Sequence, residues 1–175
     1  MKDRIGITGS SGSLGKIIKK NYKKKYNFFY FKGDITKKEN LEKWFNKNDV
    51  NVIIHLAAIV PIKDVNKNKI LAKKVNYIGT KNLVDICVKK KVNWFFFSST
   101  SHVYSSSKKK ISENASRKPI SYYGKTKLMS ENYIIKNFEK KNIRYCIGRI
   151  FSTANKNQKK NYLVPDLFKR IRKAN

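Results

Sequence analysis

The hydrophobic positions of this chain alternate between short continuous runs and longer segments with helical spacing. Continuous apolar runs predict a strand that begins at Ile5 and further strands over Tyr26–Phe31, Asp49–Ala58, Val92–Ser99 and Ile143–Phe151. Apolar residues three or four positions apart predict helices over Leu14–Tyr22, Ile35–Asn48, Leu71–Lys90, Ser121–Lys140 and Val164–Lys173. In the second of these helices, Thr36 is the expected N-cap.

Strands and helices that alternate along a chain are typical of a doubly wound α/β domain. Right-handed crossovers make the strands parallel in one sheet, with helices on both faces. Two segments, Ile62–Ile70 and Ser105–Lys118, are predicted to be loops, and the second lies beside a run of hydroxyl residues. The 175 residues suffice for one domain with a buried core.

Three glycines at intervals of three, Gly9, Gly12 and Gly15, separate the first strand from the first helix. Gly9 can adopt the positive φ of a tight turn, Gly12 leaves room for a pyrophosphate, and Gly15 lets the helix pack closely on its strand. The N–H groups that open the helix attract a diphosphate to the same place. A glycine turn can be purely structural, but the strand before it and the helix after it favour a dinucleotide site.

The net charge of +30 would normally indicate a nucleic acid or an anionic membrane as the partner. Most of this charge is lysine scattered along the chain, whereas arginine forks are the usual readers of bases. We find no helix-turn-helix spacing, metal-ligand spacing or aromatic RNA platform, so neither a specific nucleic acid nor a metal is expected. The early first strand and the lack of an apolar run of membrane length predict a cytoplasmic enzyme.

Tyr123 and Lys127 are four residues apart in a predicted helix and therefore share one face. A free phenol, with a pKa near ~10, is a poor acid or base at neutral pH. A nearby ammonium and an oxidised nicotinamide lower that pKa, which makes the pair a general acid/base for an alcohol or ketone. Thr100, after a predicted strand, would bind the same substrate oxygen, and Ser99 is the neighbouring candidate. The pair alone could arise by chance, but its order behind the glycine turn favours a site.

Five segments in order along the chain carry a family resemblance: Thr8–Gly15, His55–Ala58, Val75–Leu83, Ser98–Tyr104 and Tyr123–Glu131. Together they resemble the extended short-chain dehydrogenase/reductases, the NAD-dependent epimerase/dehydratase group. The resemblance implies a Rossmann-like fold, a bound NAD or NADP, and most often a nucleotide-sugar substrate. By analogy it also implies a homodimer.

The resemblance also assigns roles to single residues. Tyr123 would be the base, Lys127 its activator and Thr100 the polarising hydroxyl, while His55 is expected to be structural and His102 a loop residue. Asn76 would support the site from a neighbouring helix. Contacts with the cofactor are implied at Gly9, Ser11, Gly12, Leu14, Gly15, Asp34, Ile35, Ala57, Ala58, Asn76, Ser98 and Lys127.

The chain departs from the family pattern in three places. The spacing from Gly15 to Asp34 is short, so Asp34 is either the acid at the adenosine ribose or the one near the adenine, and Lys32 leaves NADP open although NAD is slightly favoured. Ser101-His102 stand where dehydratases carry Asp-Glu, which disfavours dehydration. Residues 1–175 are expected to form an NAD(P)-binding domain, with only the start of a substrate-binding domain over about 150–175, where Gln158 and Tyr162 lie.

The sequence therefore predicts an NAD(P)-dependent oxidoreductase or epimerase that acts on a nucleotide sugar by hydride transfer at the nicotinamide C4. A non-catalytic dinucleotide-binding or regulatory module is the alternative, because most of the substrate-binding domain is missing. A lysine-rich nucleic-acid-binding protein is less favoured, and its binding would collapse as the salt concentration rises.

Overall fold

The structure, a computed structural model, describes residues 3–60, 62–152 and 163–174. The strands are β1 (Arg4–Thr8), β2 (Asn27–Tyr30), β3 (Val52–His55), β4 (Trp94–Thr100) and β5 (Arg144–Ile150). The helices are α1 (Ser13–Tyr22), α2 (Lys38–Lys47), α3 (Ile62–Lys67), α4 (Lys69–Lys73), α5 (Gly79–Lys89), α6 (Tyr122–Glu139) and α7 (Leu163–Ala174). A π-helical turn, Lys74–Ile78, joins α4 to α5, and a 3-10 turn, Ser101–Val103, follows β4.

The strands form one parallel sheet in the order β2-β1-β3-β4-β5. The chain runs outward from β1 to β2 and then returns to the other side of β1 for β3. The strand order therefore reverses between β1 and β3, and the crevice at their carboxyl ends is the usual ligand position in such sheets. The predicted doubly wound α/β fold is confirmed. A single strand outside β1 agrees with the short spacing between Gly15 and Asp34.

One face of the sheet packs against helices, and the other face is buried at β1 and only partly buried at β3 and β4. A Cβ on Gly6 would lie 2.5 Å from the Trp44 ring, so α2 packs on that face. On the same face Phe95 meets Phe138 of α6 edge-on, with ring centroids 5.1 Å apart. Ile5 and Ile7 alternate with Gly6, point to the opposite face and are also buried. The alternating residues of β3 and β4 are partly buried rather than exposed, which explains why these strands are continuous apolar runs in the sequence.

Three local predictions were wrong. The segment Ile62–Ile70 is helical rather than a loop: Val65 and Ala72 are fully buried, and Asn68 caps α4 by accepting a hydrogen bond from the Leu71 amide at 2.8 Å. Helix α2 begins at Lys38 instead of Ile35, and Thr36 is not its N-cap, because Thr36 is bound in a turn by Asp34. Strand β3 ends at His55, so the residues up to Ala58 lie beyond the sheet ladder.

A chain of buried hydrogen bonds joins β1 and β3 to the helices. Thr8 Oγ1 lies 2.6 Å from His55 Nδ1, and His55 Nε2 lies 2.8 Å from Thr80 Oγ1. The Thr80 hydroxyl donates to the Asn76 carbonyl at 2.7 Å, so it accepts from Nε2–H, and Nδ1 accepts from Thr8. Burial holds the pKa of His55 well below its ordinary value, with the charge of Lys127 acting in the same direction. The imidazole is therefore neutral and bonded at both nitrogens.

Replacing Thr80 by Val should lower the free energy of unfolding by about 1–3 kcal/mol, because the His55 N–H and the Asn76 carbonyl both lose a buried partner. Urea denaturation at neutral pH measures this change. The unfolded histidine takes up a proton near pH ~6.5 and the folded one does not, so wild-type stability should also fall as the pH drops below that value. A Thr80→Val variant as stable as the wild type would contradict the role of the chain.

Candidate active site

The turn between β1 and α1 requires glycine at two positions and is open at the third. Gly9 has a φ of +73°, and a Cβ there would lie 2.5 Å from the Ala57 nitrogen. A Cβ on Gly15 would lie 2.5 Å from Ser10 Cα, whereas one on Gly12 would meet only the Gly9 carbonyl oxygen, at 3.3 Å. Gly12 is also the N-cap of α1 and, as a glycine, has no side chain that could cap the helix. The opening N–H groups of α1 thus face a space that suits an anion.

A cavity of about 310 Å³ opens beside this turn, where the strand order reverses. Five of the predicted cofactor residues line it: Gly9, Ser11, Asp34, Ile35 and Ala57. The remaining predicted cofactor residues lie outside its lining: Gly12, Leu14, Gly15, Ala58, Asn76, Ser98 and Lys127. A mixed polar and apolar cavity of this size next to an uncapped helix fits the adenosine and diphosphate parts of a dinucleotide.

One side of the cavity presents a carboxylate and an ammonium, from Asp34 and Lys32. Asp34 Oδ1 accepts hydrogen bonds from the Thr36 amide at 2.9 Å and the Thr36 hydroxyl at 2.8 Å. These bonds hold the pKa of Asp34 below its usual value, so the carboxylate is ionised at neutral pH. Lys32 lines the same cavity. Both roles considered for Asp34, at the ribose or near the adenine, and both cofactors remain predictions.

Asn76, in the π-helical turn, is a fully buried hub. Its side chain accepts from the Ile59 amide at 2.8 Å and donates to the Ile59 carbonyl at 3.0 Å and to Thr126 Oγ1 at 3.3 Å. Its own carbonyl accepts from the Ser130 hydroxyl at 2.8 Å. The side chain thereby ties the segment after β3 to α6, which is the supporting position that the resemblance implied. A contact with the cofactor at Asn76 stays a prediction.

Helix α6 holds Tyr123 and Lys127 in a buried position, with exposed fractions of 6% and 2%. Ser121 caps the helix by accepting from the Gly124 amide at 3.0 Å. Lys127 Nζ lies 4.0 Å from the ring centroid of Phe97 in β4. Burial lowers the pKa of Lys127 to about 7, and the charge of Glu131 opposes this shift. Lys127 therefore changes its protonation near neutral pH.

Thr100 ends β4 beside the start of α6. Its Oγ1 accepts from the His102 amide at 3.3 Å, so its own proton is available to donate to a substrate oxygen. A Cβ on Gly124 would collide with the His102 carbonyl oxygen, which means that α6 rests directly on the turn after Thr100. The ring centroids of Tyr123 and His102 are 6.0 Å apart. The structure thus brings the elements that carry Thr100, Tyr123 and Lys127 together at the carboxyl end of β4.

The serines before Thr100 have different surroundings. The Ser99 hydroxyl, the neighbouring candidate for the substrate oxygen, donates instead to the buried carboxylate of Glu131. Ser98 is half-buried. With Ser99 engaged by Glu131, Thr100 is the hydroxyl at this strand end that is better suited to a substrate.

Sequence reasoning gave no role to Glu131, Arg149 or Arg117. Glu131 is fully buried and accepts from Arg149 Nε at 3.2 Å and Arg149 Nη2 at 3.0 Å. Arg117 Nη1 lies 3.6 Å from Glu131 Oε2. The available signal was spacing: Glu131 follows Lys127 by four residues, as Lys127 follows Tyr123, and so lies on the same helical face.

Comparison with known proteins gives this arrangement a family. The sequence model of one family, described as GDP-mannose 4,6 dehydratase, matches residues 5–175. The chain belongs to the GDP-mannose 4,6 dehydratase family. The predicted place among the NAD-dependent epimerases and dehydratases is confirmed.

A GDP-6-deoxy-D-talose 4-dehydrogenase from Aggregatibacter actinomycetemcomitans is 30% identical to this family member over 175 residues, which cover 94% of this chain and 58% of that protein. A dTDP-4-dehydrorhamnose reductase from Bacillus anthracis, solved with NADP, matches with a TM-score of 0.85 at 24% identity, covering 100% of this chain and 61% of that one. A UDP-glucose 4-epimerase from Thermus thermophilus, solved with NAD, has a TM-score of 0.77 at 21% identity, covering 83% and 54%.

The two solved structures confirm the Rossmann-like fold of this GDP-mannose 4,6 dehydratase family member. The chain spans between 54% and 61% of the length of these three relatives. The expected beginning of a substrate-binding domain, over about 150–175, includes Gln158 and Tyr162, which lie outside the described residues.

Replacing Lys127 by Met should stabilise the fold and remove a pH dependence. Between pH about 7 and 10.5 the unfolded lysine binds a proton that the folded one lacks, so wild-type stability should rise with pH across that window. At neutral pH we expect the free energy of unfolding of Lys127→Met to be roughly 1–4 kcal/mol higher than that of the wild type. This difference should become smaller toward alkaline pH. Urea denaturation at several pH values measures it, with Lys125→Met, on the exposed side of the same helix, as the control. An unchanged pH slope in Lys127→Met would refute the explanation.

Proposed function

We propose that this protein is an NAD(P)-dependent oxidoreductase or epimerase that acts on a nucleotide sugar by hydride transfer at the nicotinamide C4. One observation carries the proposal. The helix with Tyr123 and Lys127 packs on the turn after Thr100, at the same carboxyl edge of the sheet as the open glycine turn. An acid/base pair, a hydroxyl donor and a diphosphate cradle on one edge suit the oxidation or reduction of a sugar alcohol.

Each of the three side chains has a distinct part in this reaction. Tyr123 takes up or returns the proton of the sugar hydroxyl. Thr100 donates a hydrogen bond to the same oxygen through its hydroxyl proton, while its own oxygen accepts from the His102 amide. Lys127, when protonated, stabilises the Tyr123 phenolate and binds the nicotinamide ribose. A nicotinamide bound at this edge would supply or accept the hydride.

One local feature narrows the reaction type, whereas the cofactor can be either NAD or NADP. Ser101 and His102 stand where a dehydratase needs Asp-Glu, which favours epimerisation or 4-keto reduction over dehydration. The talose 4-dehydrogenase from Aggregatibacter supports a reaction at C4 by its name. Solved structures of this fold hold NAD or NADP, and Lys32 beside Asp34 is compatible with either.

The domain organisation, the location and the partners of the protein are also inferred. Residues 1–175 would form the NAD(P)-binding domain, with the start of the sugar-binding part over about 150–175. No helix in the described part of the chain combines the length and the apolar character needed to cross a bilayer. A cytoplasmic location, a homodimer and the lack of a specific nucleic-acid partner remain predictions.

Replacing Tyr123 by Phe should lower turnover at least ~100-fold and change the affinity for the cofactor less than about threefold, because only the proton-transfer group is removed. With UDP-glucose plus NAD the assay measures formation of the C4 epimer by chromatography, because an epimerase regenerates its NAD. With dTDP-4-keto-6-deoxyglucose plus NADPH it follows the loss of absorbance of the reduced nicotinamide. Tyr122→Phe, one residue earlier on the same helix, is the matched control and should retain turnover.

The same assay separates the alternatives. Cofactor binding without turnover in the wild type, with these and with GDP-linked sugars, would favour the non-catalytic dinucleotide-binding module. Binding to DNA or RNA that collapses as salt rises, without cofactor binding, would favour the nucleic-acid hypothesis. Equal turnover in wild type and Tyr123→Phe would remove Tyr123 from the mechanism.

Replacing Lys32 by Glu tests which nucleotide the cavity accepts. If Lys32 meets a 2′-phosphate, the variant should bind NADPH about tenfold more weakly and NADH less than threefold more weakly, since a favourable charge is replaced by a repulsive one. Fluorescence titration of the two reduced cofactors measures the ratio. Lys38→Glu, an equal charge change at an exposed position in the first turn of α2, controls for the general loss of positive charge. Equal losses for both cofactors would exclude the contact.

A further inference from the structure

Helix α6 carries a third residue in line with Tyr123 and Lys127. Glu131 lies one more turn along the helix, and the three side chains become more buried in that order, with 6%, 2% and 0% exposed. A fully buried carboxylate is costly unless it is paired and hydrogen-bonded. Its partners therefore indicate what the position is for.

One partner of Glu131 leads to the reacting hydroxyl. The buried Ser99 hydroxyl donates to Glu131 Oε1, and Ser99 is the residue directly before Thr100 in β4. This bond fixes the end of the strand against the helix that carries Tyr123. The separation between the Thr100 hydroxyl and the phenol is thereby set from within the fold.

The other partner leads to the loop over the strand ends. Arg149, on β5, donates to both oxygens of Glu131 and, through Nη1, to the Tyr104 hydroxyl at 2.7 Å and the Glu113 carbonyl at 2.9 Å. Its guanidinium also lies 5.0 Å from the centroid of the Tyr104 ring. The guanidinium thus bridges the helix that carries the acid/base pair and the long loop 105–118.

The loop 105–118 is closed on itself and held at both ends. The Ser105 amide donates to the Ser116 carbonyl at 3.1 Å, which forms the neck of the loop. Arg117, at the far end, lies 3.6 Å from Glu131. Glu131 therefore contacts the loop 105–118 through two arginines, Arg149 on β5 and Arg117 in the loop itself.

We propose that Glu131 is a positioning residue which, with Arg149, locks Thr100, the loop 105–118 and the Tyr123–Lys127 helix into one rigid unit. The proposal rests on the proposed function, since it assigns Glu131 and Arg149 a part in the same reaction. The simpler alternative is an ion pair that only stabilises the fold. Buried ion pairs are weak stabilisers compared with apolar side chains of similar size, so stability alone is a poor explanation for this arrangement.

The rigid unit also affects the protonation of Lys127. The charged and titratable groups around Lys127 are Tyr123 and Glu131 on its own helix, His55 on β3 and, on the far side of Glu131, Arg149 on β5 and Arg117 in the loop. Burial depresses the pKa of Lys127, and the charge of Glu131 raises it. His55 is held neutral and adds no second cation. Glu131 therefore keeps a larger fraction of Lys127 protonated where the ammonium is needed.

The test compares Glu131→Gln and Arg149→Lys with Glu139→Gln, a change at an exposed glutamate of the same helix. In Glu131→Gln we expect kcat to fall 10- to 100-fold with cofactor affinity within about threefold. The alkaline limb of its pH profile should move to lower pH, because Lys127 loses its proton more readily. Hydrogen exchange at the Ser105 and Ala115 amides, both bonded within the loop, should speed up at least tenfold.

Arg149→Lys separates the two effects. It keeps a cation beside Glu131 but cannot reproduce the planar fork, so loop exchange should speed up and kcat should fall while the alkaline limb stays in place. Glu139→Gln should change none of these quantities. If Glu131→Gln and Arg149→Lys only lower the unfolding free energy, with unchanged kcat, pH limb and loop exchange, the pair is purely structural and the proposal fails.

Outcomes for the two proposals are distinguishable. Turnover of UDP-glucose or dTDP-4-keto-6-deoxyglucose in the wild type, with loop exchange and kcat unchanged in Glu131→Gln, would end the role of Glu131 and leave the proposed function. No turnover in the wild type, with faster loop exchange in Glu131→Gln, would end the proposed function and leave only the anchoring of the loop. No turnover and unchanged exchange would end both.

Discussion

The arrangement of the whole site depends on satisfying the polar groups that are buried where the parallel strands end. In the described residues every buried side-chain nitrogen and oxygen has a partner. Asn76 meets most of this requirement, because its side chain binds the backbone at Ile59 and its carbonyl receives the hydroxyls of Thr80 and Ser130. A π-helical turn, which is often found at functional sites, places the residue there. Helix α6 is thus fixed against β3 before any ligand binds.

That fixed helix carries a lysine which disfavours folding in its charged form. Lys127 lies against the Phe97 ring with its pKa lowered to about 7, so the buried ammonium is retained at the expense of stability. The neighbouring imidazole of His55 does not add to this cost, because burial keeps it in the neutral form and both of its nitrogens are hydrogen-bonded. A buried charge that lowers stability is typical of functional sites, since an apolar residue would stabilise the core better.

Much of the fold could be predicted because the strands are continuous apolar runs, buried on one face and at least partly buried on the other in β1, β3 and β4. The need for glycine in the first turn could also be predicted, since Gly9 and Gly15 occupy positions that tolerate no Cβ. Helix α3 and the first two residues of α4 were predicted as a loop because Val65 is the buried residue between Ile62 and Ile70, among exposed and mostly polar neighbours. The start of α2 was missed because it depends on hydrogen bonds between the Asp34 side chain and Thr36. The pairing of Glu131 with Arg149 was missed because it depends on the position of β5 in the sheet, which residue spacing along the chain does not reveal.

The two adjacent hydroxyl residues at the end of β4, Ser99 and Thr100, have different hydrogen-bond partners. Side chains alternate along a strand, so Phe97 and Ser99 share the face that meets Lys127 and Glu131 on α6. Ser99 is therefore drawn into the buried ion pair, where its proton is already donated. Thr100, one residue further, accepts from the amide of His102 in the following turn. The alternation that builds the core thus places Ser99 in the buried contacts and, under the proposed function, leaves Thr100 as the hydroxyl for the substrate, in a position that depends on the Glu131 carboxylate.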